Sequence, residues 1–212
     1  MNNIQNEFSQ IDEGCSNQAI SDLIKYIEET LPGFPNSQEF IDILKKKKNE
    51  NQHSLSFCVY MANKAKSKYS FIRENSQRGS YTIDIGIYQG SNLIFTIEAK
   101  LLPTPKGTKK KPRAEHEYVY GKGAGIQRFR DGFHGVDNQD NSLLHNGMIA
   151  YIKEKDFEYW FSKVNQWILD AQWGKSEQLE KIYFKTMAKL VSKHRRPNAC
   201  DVKLYHFWIY VT

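Results

Sequence analysis

The strongest restriction on the fold comes from two runs of alternating apolar and polar residues joined by a tight turn. Tyr81, Ile83, Ile85 and Ile87 alternate with Thr82, Asp84, Gly86 and Tyr88; beyond Gln89–Asn92, Leu93, Phe95, Ile97 and Ala99 alternate with Ile94, Thr96, Glu98 and Lys100. A period of two marks a strand with one face turned to a core. Gly90 supplies the permissive backbone for a hairpin-like turn between the two. Asp84 breaks into an otherwise apolar run, while Glu98 and Lys100 fall two residues apart and therefore on one face. Charges placed in a core-forming sheet are costly unless they hold one another or a metal.

The flanking sequence reads as helices and further strands. Ile20, Leu23, Ile24, Ile27 and Leu31 recur at helical spacing from Ser16 to Leu31, where Pro32 and Gly33 end the helix. A second helix is expected from the N-cap Ser37 to about Lys48. Residues 54–66 are compatible with helix or strand, Tyr69 to Arg73 with a short strand, and Gln77 to Ser80 with a turn. The stretch 103–125, rich in Pro, Gly and Lys, predicts a loop, followed by a helix near Gly125. Met148 to Ile152 predicts a short strand, Asp156 to Trp173 an amphipathic helix, residues 176–193 another helix, and Leu204 to Val211 an aromatic-rich last strand. The class is α/β, with a central mixed sheet flanked by helices. The 212 residues suit one domain, with a core of about 17–152 and an extension over 153–212.

Composition narrows the function. No apolar run approaches the roughly 20 residues of a spanning helix. Met1 to Gln10 is polar, without a basic-then-apolar leader, so a cytoplasmic location is expected. The three cysteines Cys15, Cys58 and Cys200 are too scattered for a disulfide framework or zinc site and read as reduced thiols. A net charge of +6 favours a polyanionic partner.

The segment Ile83-Asp84, thirteen residues, then Glu98-Ala99-Lys100 resembles the signature of the PD-(D/E)XK, restriction-endonuclease-like nucleases. Ile83 stands where that motif carries Pro. The resemblance covers roughly residues 70–152 and implies an αβββαβ core. It implies Asp84, Glu98 and Lys100 as catalytic residues, with Asp84 and Glu98 holding Mg²⁺ or Mn²⁺. Family members recruit one more acid from an earlier element. Glu39 or Glu29 is preferred here, with Glu28 and Glu74 as rivals. They also use a polar residue from the helix after the Lys strand, which points to Gln127. Two carboxylates suit Mg²⁺, a hard cation that keeps several waters. The residues by themselves also allow a surface Asp and a salt-bridged Glu98–Lys100 pair on a solvated sheet face.

Lys106, Lys109, Lys110, Lys111 and Arg113 follow the Glu98 strand, and Arg128 and Arg130 lie in the next helix. Such a rim can bind a phosphate backbone without reading sequence, or serve as a solubilising surface. Gly121, Gly123 and Gly125 permit close approach and can expose amides at the helix start. Ser192, His194, Arg195 and Arg196 read as the basic end of the last helix. The expectation is an endonuclease acting on DNA, with RNA possible. Working as a homodimer, or beside an ATPase subunit in a bacterial restriction or anti-phage system, follows from the resemblance alone. The alternative is a non-catalytic nucleic-acid- or protein-binding subunit that keeps the fold.

Overall fold

The computed structural model describes residues 18–45, 49–107, 113–121, 124–197 and 199–211. Helix α1 covers residues 18–30, followed by α2 (Gln38–Leu44) and α3 (Glu50–Ala65). The strands β1 (Ser70–Ser76), β2 (Thr82–Gln89) and β3 (Asn92–Leu102) form an antiparallel meander. After α4 (Ile126–Arg130), β4 (His145–Ile152) lies parallel to β3. Then come α5 (Phe157–Asp170), β5 (Glu180–Phe184), β6 (Met187–Arg196) and β7 (Ala199–Tyr210). One seven-stranded mixed sheet results, in the order β1-β2-β3-β4-β7-β6-β5. Its three central strands β3, β4 and β7 are parallel, and both flanks are antiparallel.

Both faces of the sheet are covered. Ile85, Ile97, Tyr151 and Phe207 pack with Leu23, Ile27, Phe57 and Met61 from α1 and α3. On the opposite face Met148, Ala150, Leu204 and Trp208 pack with Phe129 from α4 and Trp160 and Val164 from α5. Burial on two sides explains why β4 reads as a continuous apolar run. Ser37 caps α2 by accepting the Phe40 amide at 3.1 Å. The ambiguous stretch 54–66 is helical through Ala65, because Asn49 caps it through the Gln52 amide. Lys46 to Lys48 lie outside the described residues.

The helix expected over 176–193 is not formed: β5 and most of β6 occupy this stretch. In β6 the deeply buried side chains include Ala188, Leu190, Ser192, His194 and Arg196, every second residue. The alternation was hidden because three of those inward residues are polar. The last strand likewise begins earlier than expected, at Ala199. Among the described residues no helix is long and apolar enough to cross a membrane.

Candidate active site

The hairpin of β2 and β3 opens into a fork. Its ladder runs from Gln89↔Asn92 to Ile85↔Ile97, while beyond that β2 continues only along β1, through Ile83 and Thr82. On β3, amides two residues apart face the same side. Those of Ala99 and Leu101 therefore lose their strand partner where β2 departs. Two carboxylates replace it: Asp84 Oδ2 accepts the Ala99 amide at 2.8 Å, and Glu50 Oε2 accepts that of Leu101 at 2.9 Å. Asp84 is thus in the fork, bonded along the strand edge, rather than simply beside Glu98 on a flat face. Glu50 is the first residue of α3, so the cap that starts that helix also places its carboxylate.

On either side of Ala99 stand Glu98 and Lys100, both buried, with Lys100 Nζ 2.6 Å from Glu98 Oε1. Arg128 Nη1 approaches the same oxygen at 3.7 Å. The other oxygen, Oε2, is buried without a hydrogen-bond partner; His134 Nδ1 stands 3.5 Å away. His134 is fully buried, and neither ring nitrogen is hydrogen-bonded. Burial and the cations Arg128 and Lys100 drive its pKa down to about 3, so the ring is neutral. Asp84 is pushed up to about 6, first by burial and then by Glu98, against the pull of Lys100. Burial alone would discharge Lys100, but Glu98, Glu50 and Asp84 hold its pKa above the usual value. The cluster therefore holds a charged lysine among carboxylates that repel one another.

The other expected residues separate. Glu39 bonds Asn63 Nδ2 at 2.8 Å, away from this cluster, and Glu50 stands where an additional acid was sought. Glu29 is exposed with Lys25 at 3.9 Å, and Glu74 is exposed beside Arg73. Glu28 pairs with Lys189. Glu50 escaped notice because its segment was not recognisable as a helix start. Gln127 Oε1 accepts the Gly121 amide at 3.0 Å, so α4 presents Arg128 to Glu98 and uses Gln127 to hold the preceding loop. Arg113 reaches Glu50 at 3.7 Å and Glu117 at 2.8 Å. Lys106 is exposed; Lys109 to Lys111 and Gly123 lie outside the described residues. The Gly125 amide is committed to the Glu117 carbonyl. A Cβ there would lie 2.5 Å from Met148, so close packing explains this glycine.

Arg130 belongs to a second polar cluster on the same sheet face. Its Nε donates to Glu177 Oε2 at 3.0 Å, and its guanidinium lies 4.9 Å from the Trp173 ring centre. Glu177 meets His194 Nδ1 at 3.1 Å; Ser192 Oγ lies 2.7 Å from His194 Nε2 and 2.8 Å from His206 Nε2. His206 Nδ1 meets the Tyr118 hydroxyl at 2.8 Å, which accepts from Trp208 Nε1 at 2.9 Å. Burial lowers the pKa of both histidines, so each ring carries one N–H. Working back from the ionised Glu177, every proton then has a forced place. Trp208 donates to Tyr118, Tyr118 to His206, His206 to Ser192, Ser192 to His194, and His194 to Glu177. A Ser-His-Glu series superficially suits a nucleophile, but Ser192 is only 4% exposed and both its histidine contacts are filled. This chain is structural. Arg196, expected near a helix end, is buried in the sheet and donates to the carbonyls of Phe129 and Leu143 at 3.0 and 3.1 Å.

Asp84, Glu98 and Glu50 offer only carboxylate oxygens, and the unpartnered Glu98 Oε2 is a free donor to a hard cation. Among the described residues no group of three or more His, Cys, Asp or Glu is disposed to hold a metal. Cys58 is buried and Cys200 exposed, both as free thiols. Comparison with known proteins finds no matching family model, no matching curated protein and no matching solved structure.

Proposed function

We propose that the chain is a metal-dependent nuclease that hydrolyses phosphodiester bonds, with DNA preferred to RNA. The observation that carries this reading is the fork, where Asp84, Glu50, Glu98 and a charged Lys100 meet around two backbone amides. The succession α3-β1-β2-β3-α4-β4, with β4 parallel to β3, supports a restriction-endonuclease-like core. Asp84 and Glu98 are the residues that would hold Mg²⁺ or Mn²⁺, with Glu50 beside them. The ion would supply an acidified water and charge stabilisation at the phosphate.

The chain's own groups do the rest. Lys100 stays protonated, so it serves as a donor and a positive charge toward a phosphate oxygen or the attacking water, not as a base. The capped amides of Ala99 and Leu101 fix Asp84 and Glu50. Arg113 and Arg128 stand where a phosphate backbone would meet the rim. Action as a homodimer, or with an ATPase subunit in a restriction or anti-phage complex, would supply the target recognition this reading does not locate. One observation favours a non-catalytic binding subunit instead: Lys100 already neutralises Glu98 at 2.6 Å, as in a closed structural pair.

The test is cleavage of plasmid DNA, single-stranded DNA and labelled RNA with Mg²⁺ or Mn²⁺, beside Glu98→Ala and Lys100→Ala. Metal-dependent cleavage lost in both variants is expected. Cleavage unchanged in both would remove the site assignment, and tight binding without cleavage by the wild type would favour the binding subunit.

A further inference from the structure

The loop after α4 holds an aromatic residue, Phe133, out toward solvent. Asp131, Gly132 and Phe133 close the helix with a paired motif: the Gly132 amide donates to the Phe129 carbonyl at 3.2 Å and that of Phe133 to Arg128 at 2.9 Å. Gly132 takes the left-handed conformation this closure needs, with φ +75°. In such a closure the residue after the glycine ordinarily packs back on the helix. Here Phe133 instead stacks on Tyr81, ring centres 4.5 Å apart and planes 17° from parallel, and stays 37% exposed.

Tyr81 ties this ring to the site. Arg128 lies 5.5 Å from the Tyr81 centre and 3.7 Å from Glu98, and the Tyr81 ring also meets the edge of His134, which faces Glu98. Arg78 donates to the carbonyls of Gly132, next to Phe133, and Asp140 at 3.1 and 2.8 Å, contacts that leave its charge uncancelled. A rigidly placed, partly exposed ring with two guanidinium groups tied to its neighbours suits a flat, aromatic group carried on an anionic chain. A nucleobase of a single strand is that group, since every base has a face to stack and a phosphate on either side.

We propose that the Phe133–Tyr81 stack is a nucleobase platform, so that the chain grips its nucleic acid by an unpaired base next to the Glu98 site. This rests on the nuclease reading and narrows its substrate to single-stranded segments, frayed ends or flaps. The phosphates on either side of the stacked base fall to Arg128 and Arg78. Duplex, whose bases are already stacked, binds through phosphate contacts alone.

The test is binding in EDTA, which needs no cleavage, to oligo-dT and oligo-U of about 15 nucleotides and to a duplex of equal length. Phe133→Leu keeps apolar cover over Tyr81 and removes the stack. It is expected to weaken single-strand binding about tenfold while duplex binding holds, and Phe133→Tyr to restore it. In the wild type, 2-aminopurine at one position of the strand should be quenched on binding, a readout that survives if the leucine variant fails to fold. The platform is overturned if the wild type binds no single strand, if no position is quenched, or if a folded Phe133→Leu binds as the wild type does. Phe133-dependent binding without any hydrolysis would sink the nuclease reading alone. Glu98-dependent hydrolysis with Phe133-independent binding would sink the platform alone. The dT and U arms distinguish DNA from RNA as the source of the base.

Discussion

Asp84→Asn should make the protein more stable, and increasingly so as the pH rises. Asp84 has a pKa near 6 in the folded chain, against an ordinary value of 3.8. A raised acid means that the folded state binds the proton more tightly than the unfolded one. The wild type therefore loses stability as pH climbs from about 4 through 6, and the loss is complete above that. The shift corresponds to about 3 kcal/mol at pH 8, about half of it at pH 5, and under about 1 kcal/mol near pH 4. Asparagine resembles the protonated acid and keeps an oxygen for the Ala99 amide, so nearly the whole linkage should appear in the variant. Buried neutral histidines such as His134 act in the opposite direction between pH 3 and 6.5. They are common to both proteins and cancel in the difference. The assay is urea unfolding of both proteins in EDTA at pH 4, 5 and 8. Mg²⁺ should shrink the advantage by favouring the ionised wild-type site. A difference that stays flat from pH 4 to 8, or an asparagine variant less stable at pH 8, would refute the placement of a strained carboxylate in the fork.

Further outcomes follow from the same geometry. Glu50→Gln should lower the initial rate of metal-dependent cleavage by about 10- to 100-fold, a usual effect for groups that orient a metal site, whereas Glu39→Gln should leave it within about twofold. Equal effects would mean that the contact of Glu50 with Leu101 has no bearing on the chemistry. Arg128→Ala should reduce the logarithmic salt dependence of DNA binding by about one ion, read from titrations at several salt concentrations. Ser192→Ala leaves a His206 donor and a His194 acceptor without partners; with each loss at about 1–3 kcal/mol, urea unfolding should show roughly 2–6 kcal/mol of destabilisation. A loss below about 1 kcal/mol would mean that water or a rotated ring takes over the bonds.

The hairpin and most helices were legible because their signals are local. Ile83 to Ile87 and Leu93 to Ala99 alternate over an unbroken stretch, and Ser37 announces its helix by type and place. The failures were of two physical kinds. In β6 the inward positions include Ser192, His194 and Arg196, whose burial depends on distant partners: His206, 14 residues from Ser192, and Leu143 and Phe129, 53 and 67 residues from Arg196. Polarity then imitates exposure, and the strand is misread. In the site, the two-residue spacing of Glu98 and Lys100 was visible, but the departure of β2 from β3 was not. Glu50 is 51 residues from the amide it caps, a distance over which no local pattern speaks.

The two buried polar clusters share one sheet face, and their difference is the better guide to function. From Trp208 to Glu177 every donor has an acceptor, both imidazoles are neutral, and Arg130 closes the end. Such a closed series stabilises a fold and offers nothing to a ligand. Around Glu98 the satisfaction fails. Oε2 and both nitrogens of His134 lack hydrogen bonds, and the Asp84 pKa is raised by its surroundings. The chain evidently can satisfy buried polar groups, since it does so one strand group away. Unsatisfied groups are expensive, about 1–3 kcal/mol each; others, such as the Tyr69 hydroxyl and Arg196 Nη2, lie elsewhere, but among the described residues only the fork sets them against a buried carboxylate and a charged lysine. On the nuclease proposal, a hard cation would be what meets that need. Glu98 Oε2 would gain a partner, and the excess negative charge that raises Asp84 would be relieved.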